Sequence, residues 1–143
     1  MSHPRPFADV LTRLRSVGLR PTRQRMALAR LLLEGGDRHV SAEALHGEAR
    51  VAGIKVSLAT VYNTLNQFAE TGLVRQVVVD PGRTYFDTNT TLHQHFFFEG
   101  DGRLQDIPGA EVQISRLPQA PKGTQIARVD VIIRLSGRQQ AKE

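Results

Sequence analysis

The hydrophobic pattern of this chain changes period at Gly72. Upstream, apolar residues recur at helical spacing. Downstream, β-branched and aromatic residues gather in short runs bounded by turn residues. A chain that is helical in its first half and stranded in its second belongs to the α+β class, and its 143 residues suffice for one domain or two small ones.

Four helices are predicted before Gly72. Ala8 to Val17 places Val10, Leu11, Leu14 and Val17 at helical spacing and ends at Gly18. Thr22 is the N-cap of a second helix over Arg23–Leu33, which stops at Gly35-Gly36. Ser41 caps a third, Ala42–Ala52, closed by Gly53, and Ser57 caps a fourth, Leu58–Thr71. In the fourth, Leu58, Val61, Leu65 and Phe68 make an apolar stripe, with Ala59, Thr60, Asn63 and Gln67 away from it. Small and hydrogen-bonding side chains on an exposed face can approach base edges in a major groove, where a wall of Lys or Glu would suit only solvent or phosphate. A solvated amphipathic helix is the plain alternative for this segment taken alone.

After Gly72, Val74–Asp80 and Arg83–Thr88 read as a hairpin across Pro81-Gly82, a type II turn pair. Helices followed by a hairpin that carries Arg75 and Arg83 give the layout of a winged helix-turn-helix. The charge distribution points the same way. Residues 1–84 carry 12 Lys and Arg against 7 Asp and Glu, residues 85–143 carry 7 of each, and Leu11–Arg30 holds six arginines and no acid. A basic half beside a neutral half is what a polyanion-binding module joined to a non-binding one would carry. A basic surface that serves only solubility is the alternative.

The polar run Asp87–Leu92 sets a boundary between a winged-helix DNA-binding domain (residues 1–88) and a small α/β domain (residues 89–143) for dimerisation and metal sensing. The second domain is predicted to hold strands His93–Glu99 and Arg103–Ile107, a short helix over Ala110–Leu117, and a strand over Ile126–Leu135. About 50 residues make a marginal core, so a homodimer is expected. Residues 1–6 and Ser136–Glu143 read as tails. No signal-peptide core and no apolar run near the ~18 residues of a membrane span are present, so the chain reads as cytoplasmic, with no membrane partner.

The chain has no cysteine, which excludes disulfides, a structural four-cysteine zinc site and thiol catalysis. A bound metal would therefore rest on imidazole and carboxylate. His93 and His95 lie two apart on a strand and point to one face, while Gln94, Phe96 and Phe98 point the other way into a core. Asp87 precedes the strand, Asp106 lies on the paired strand, and nothing in periodicity brings His39 to them. His46, on the third helix, reads as a surface residue. Imidazole suits iron(II), manganese(II), zinc and copper, and carboxylate oxygens shift the balance toward Fe2+ and Mn2+. Two exposed strand histidines without a ligand are the alternative.

Arg20-Pro21-Thr22-Arg23-Gln24-Arg25, His39-Val40-Ser41-Ala42-Glu43 and Ala59-Thr60-Val61-Tyr62-Asn63-Thr64-Leu65 closely resemble the ferric uptake regulator family of metal-sensing repressors. The similarity continues through Tyr85-Phe86-Asp87 and His93-Gln94-His95 to Asp106-Ile107. Lack of cysteine and the Arg20–Arg25 segment look like the iron response regulator branch, whose members respond to iron through haem. The resemblance implies a homodimer of two-domain subunits on a double-stranded DNA operator, with the fourth helix in the major groove. Arg20 matches the family's minor-groove residue and Tyr62 its thymine- or backbone-contacting tyrosine. Asn63 stands where many relatives have arginine, a departure that bears on operator preference. Arg23, Arg25, Ser57, Ala59 and Thr60 complete the DNA-facing set. His39, Asp87, His93, His95 and Asp106 match the family's inter-domain regulatory metal site, with aspartate in place of glutamate at two positions. That site implies one divalent metal per subunit, Mn2+ or Fe2+, with Zn2+ accepted in vitro, and haem, brought by a delivery protein, as a further ligand.

Three functions are thus weighed. The favoured one is a metal- or haem-responsive repressor of iron and haem metabolism genes, bound to palindromic DNA. A metal-independent winged-helix protein would leave the histidines incidental. A small metal-dependent hydrolase using His93, His95 and Asp87 would lack a catalytic base, a nucleophile elbow and a phosphate loop, so no catalytic residue is assigned.

Overall fold

A computed structural model describes residues 6–137, with side chains from Asp9 onward; the two tails read from the sequence fall largely outside these residues. The chain divides into two compact units after Thr90.

The first unit holds helices α1 (Pro6–Ser16), α2 (Arg23–Leu33), α3 (Ala42–Val51) and α4 (Leu58–Glu70), and strands β1 (His39–Val40), β2 (Arg75–Asp80) and β3 (Arg83–Asp87). Three of the four helices begin as the sequence implies. Thr22 Oγ1 accepts from Arg25 N at 3.2 Å, Ser41 Oγ from Ala44 N at 3.1 Å and Ser57 Oγ from Thr60 N at 3.0 Å, each satisfying an otherwise orphaned backbone donor. Gly72 takes φ 82°, which lets Leu73 N–H return to the Phe68 carbonyl at 2.9 Å and turns the chain from α4 into β2. The core is drawn from every helix and from the sheet: Leu14, Leu28, Leu45, Val61, Leu65, Phe68 and Phe86 are at most 1 % exposed. Thr64, also buried, widens the inward face of α4 beyond the predicted stripe.

The strands of this unit form one antiparallel sheet in the order β1-β3-β2. The hairpin between β2 and β3 departs from the predicted type II turn. Such a turn needs a positive φ at Gly82, and Gly82 does not adopt one. Asp80 Oδ1 instead accepts the Gly82 N–H at 3.1 Å, and a bulge between Val78 and Asp80 supplies the twist.

The second unit is a three-stranded sheet of β4 (His93–Phe98), β5 (Arg103–Pro108) and β6 (Ile132–Leu135), in the order β5-β4-β6. β4 runs antiparallel to β5 and parallel to β6. Two elements fall short of expectation. The predicted helix over Ala110–Leu117 is one 3-10 turn, Gly109–Glu111, without a side-chain cap. Val112 and Ile114 are β-branched, Pro118 follows, and Ile114 and Leu117 are 45 % and 48 % exposed, so no packing rescues a weak helix former. The strand predicted over Ile126–Leu135 begins only at Ile132. Gln94 explains the late start: its Oε1 accepts the Val131 N–H at 2.7 Å and its Nε2 donates to the Val129 carbonyl at 3.5 Å, so a side chain takes backbone groups that a ladder would have used.

The predicted faces of β4 are also corrected. Phe97, in phase with His93 and His95, is fully buried, while Phe96 and Phe98 are half-buried and the Arg103 guanidinium covers the Phe98 ring at 4.1 Å. The histidines thus stand on the buried face of the strand. Among the described residues no helix is long and apolar enough to cross a membrane.

Candidate metal centre and nucleic-acid interface

Each unit gathers imidazole and carboxylate groups of the kind that could hold a metal ion. In the first, register pairs His39 on β1 with Asp87 on β3, and His39 Nε2 lies 3.3 Å from Asp87 Oδ2. The pairing of two strands far apart in sequence is what brings this histidine to a carboxylate. The Asp87 side chain is 1 % exposed, and its Oδ1 accepts the Asn89 N–H at 2.9 Å. A buried carboxylate with one oxygen fixed by a backbone donor keeps the other aimed at a cation.

β1 is itself anchored. Arg38 N donates to Thr88 Oγ1 at 2.8 Å, Thr88 N donates to the Arg38 carbonyl at 3.0 Å, and the Arg38 guanidinium is paired through both terminal nitrogens with Glu48 of α3. The Glu48 carboxylate, by hydrogen bond first and charge second, raises the Arg38 pKa above its ordinary value against partial burial.

In the second unit, β4 and β5 bring three donors together. His95 stands opposite Asp106 in register, and Asp106 Oδ1 lies 3.4 Å from His93 Nε2 and 3.5 Å from His95 Nε2. The two imidazole rings meet edge to face, with centroids 4.6 Å apart. His93 Nδ1 sits 2.7 Å from the Thr91 carbonyl, so Nδ1 donates there and Nε2 is the ring nitrogen turned toward Asp106. The donor atoms of His93, His95 and Asp106 lie within 4.8 Å of one another, as do those of His39 and Asp87. Bonds of about 2.0–2.2 Å to one ion place its donors roughly 3–4 Å apart, so each group is close to the spacing that coordination demands. Nitrogen and carboxylate oxygen fit manganese, iron(II) or zinc.

Of the residues that the sequence assigns to DNA, Ala59, Tyr62 and Asn63 of α4 are exposed and Thr60 is half-buried. Ser57 is committed to its cap and also donates to Thr60 Oγ1 at 3.0 Å. Arg20 and Arg23 are exposed. Arg25 is half-buried, its guanidinium donating to Gln67 Oε1 at 3.2 and 3.0 Å and to the Arg20 carbonyl at 2.9 Å. It thereby ties the Arg20 segment to α4.

Comparison with known proteins decides the kinship. A profile of the ferric uptake regulator family matches residues 16–134. The chain is 31 % identical over 112 residues to the peroxide-responsive repressor PerR of Staphylococcus aureus strain Mu50, spanning 78 % of this chain and 75 % of that protein. The chain belongs to the ferric uptake regulator family. Its fold is similar to the ferric uptake regulator of Pseudomonas aeruginosa solved with manganese, at TM-score 0.70 and 26 % identity over 91 % of this chain and 98 % of the other. The Vibrio cholerae ferric uptake regulator shares the fold at TM-score 0.67 and 22 % identity, over 88 % and 98 % of the two chains.

Ferric uptake regulator family members are metal-responsive transcription regulators, which gives the donor sets their context. Sequence reasoning missed the Thr91 carbonyl, because a backbone group carries no residue signature. It also missed the Arg38–Glu48–Thr88 brace behind His39, and Glu43, whose Oε2 accepts from the Tyr62 hydroxyl at 2.6 Å. His46, read as a surface residue, is half-buried with Nε2 3.1 Å from the Val56 carbonyl.

Proposed function

We propose that the protein is a cytoplasmic transcription repressor that binds operator DNA as a homodimer and whose grip depends on one divalent ion per chain. His39 and Asp87 from the first unit and His93, His95 and Asp106 from the second would hold that ion jointly. The carrying observation is the donor count. Two donors in one unit or three in the other would each leave coordination positions to water, and five together would fill the four to six that such ions offer. The mixed nitrogen and oxygen donors favour Mn2+ or Fe2+, with Zn2+ accepted, and the lack of cysteine leaves no structural zinc site of four thiolates.

When bound, the ion supplies a multivalent link between donors of separate units. The donors restrict the arrangement of those units, and so the spacing of two reading helices on a palindromic site. A ~100-fold preference of the metal for the DNA-competent arrangement biases it by ~2.7 kcal/mol. On the DNA side, Ala59, Thr60, Tyr62 and Asn63 would face base edges beside Ser57. Arg20 and Arg23 would meet the backbone and minor groove, and Arg25 would hold the Arg20 segment in place while adding charge. The exposed Ile114, Leu117, Ile126 and Ile133 of the second unit support its pairing with a second copy.

Targets in iron and haem metabolism, as in the iron response regulator branch, remain part of this reading. Haem at the histidines, brought by a delivery protein, would compete for the donors and release DNA. Side-chain exposures of 4 % for His93 and 2 % for His95 favour a bare ion over a macrocycle at the same nitrogens. A second reading, response to peroxide, is favoured by the name of the Staphylococcus aureus relative. Its mark would be loss of operator binding on peroxide treatment of the iron-loaded protein and not of the manganese-loaded one. The main reading is tested by titrating operator binding with manganese(II) in the wild type and in His93→Ala/His95→Ala. The wild type should tighten with metal and the double variant should not; an unchanged metal response would reject the site.

A further inference from the structure

Glu43 stands in the first turn of α3, and its carboxylate holds the hydroxyl of Tyr62, an exposed residue of α4. The pair borders a cleft of about 290 Å³ whose far wall is the hairpin tip, Gly82 to Tyr85. Fold stability does not account for it, since an exposed hydrogen bond adds little. The placement of the charge is the unusual part. α4 has no acidic residue between Leu58 and Ala69, so Glu43 supplies a negative group beside a helix that has none of its own there, with Arg83 across the cleft.

A hydroxyl whose proton is given to a carboxylate has none to give to a phosphate. The phenol ring then offers its apolar edge, the kind of surface that meets a thymine methyl. The carboxylate meanwhile repels phosphates of any duplex that approaches out of register. We propose that Glu43 is a positioning residue for sequence reading: it fixes the direction of the Tyr62 ring and withholds its hydroxyl from the DNA backbone, lowering affinity for DNA in general while raising discrimination among sequences. The inference rests on the reading that α4 faces DNA.

The test uses the full chain loaded with manganese(II) and two duplexes of equal length. One is the tightest binder selected from random-sequence DNA, the other its scrambled version, and both are titrated by fluorescence anisotropy. Glu43→Ala should bind the scrambled duplex about threefold tighter through the lost repulsion. Its selected-to-scrambled ratio should fall about tenfold, the size of one base contact. Glu43→Gln keeps an acceptor for Tyr62 and should restore most of that ratio while still binding both duplexes more tightly than wild type. Tyr62→Phe should match Glu43→Ala in ratio, and the double variant should fall no further. An unchanged ratio in both Glu43 variants would overturn the proposal. So would Tyr62→Phe weakening both duplexes alike, which would show the hydroxyl donating to DNA. Asn63→Ala and Ala59→Asp separate the underlying reading: if neither alters binding to either duplex, α4 does not face DNA and the role of Glu43 falls with it. A loss there beside inert Glu43 variants removes Glu43 alone.

Discussion

Phe68 in α4 and Phe97 in β4 are both fully buried, yet they are surrounded differently. Phe68 sits in a cluster with Leu14, Leu28, Leu45, Leu65 and Phe86, contributed by four helices and a strand. Phe97 shares the interior of its unit with Leu104 and Ile107, and otherwise with His93, Gln94 and His95. The first unit buries hydrocarbon and stands on it. Half of what the second unit buries, among its described residues, is polar and needs partners. Donors kept out of water and aimed at one another are costly in an apolar interior unless something binds them. The contrast teaches that the second unit's stability should depend on ligand and on a second copy, while the first unit, whose His39 and Asp87 would donate to the same ion, stands on its hydrocarbon core without either.

The strongest way to break this contrast is a matched pair of truncations. Phe68→Ala and Phe97→Ala should each cost about 3–5 kcal/mol in their own unit. Manganese(II) at about 100-fold over its Kd should add roughly 2.7 kcal/mol to either variant, because both units would donate to the ion, but without metal only Phe97→Ala should leave its unit unfolded. Urea melts followed by amide exchange in each unit read both values, and a first unit equally unfolded by Phe68→Ala without metal would erase the distinction. Next in size, Gln94→Leu strips Val131 and Val129 of their side-chain partner and should cost about 1–3 kcal/mol. Faster amide exchange at Val131 would report it, and an unchanged rate would return Gln94 to the role of mere filler.

Smaller effects fall in the first unit. Ser57→Ala should remove about 1 kcal/mol by uncapping α4, visible as a lower urea midpoint with or without metal. The least effect is the pH response of the exposed Glu43–Tyr62 pair. The hydrogen bond from Tyr62 holds the Glu43 carboxyl below its ordinary value, so its stabilisation is present above the usual carboxylate range and is lost as pH falls through the depressed value. The same bond raises the phenol pKa, so that contribution is present below the usual tyrosine range and is lost as pH climbs through the raised value. Tyr62→Phe should flatten both ends of the stability profile, and a profile identical to wild type would deny the pair any weight in solution.

What the sequence disclosed followed the same division. Arg23–Leu33 is helical as read because Thr22, the apolar spacing and Gly35-Gly36 all agree. Ser41 and Ser57 likewise mark the starts of α3 and α4, because a cap is a local device and leaves a local signature. The second unit was less legible. Ile126 to Leu135 has the alternation of a strand, but its first half is displaced from the ladder by a side chain 37 residues upstream in Gln94, a competition no local pattern contains. Which face of β4 is buried was misjudged for a related reason: Phe suggests a core and His a surface, whereas here His95 and Phe97 go inward together. His39 reached the donor set through its family likeness, since only the β1–β3 pairing carries it to Asp87.

The central claim is that donors from both units share one ion. Manganese(II) affinity measured on His39→Ala and His93→Ala, each changing a donor of a different unit, tests it most directly. Equal, large losses from a wild-type stoichiometry of one ion per chain are predicted. Wild-type affinity in His39→Ala beside a lost site in His93→Ala would show that the second unit binds metal unaided, and the shared site would be contradicted.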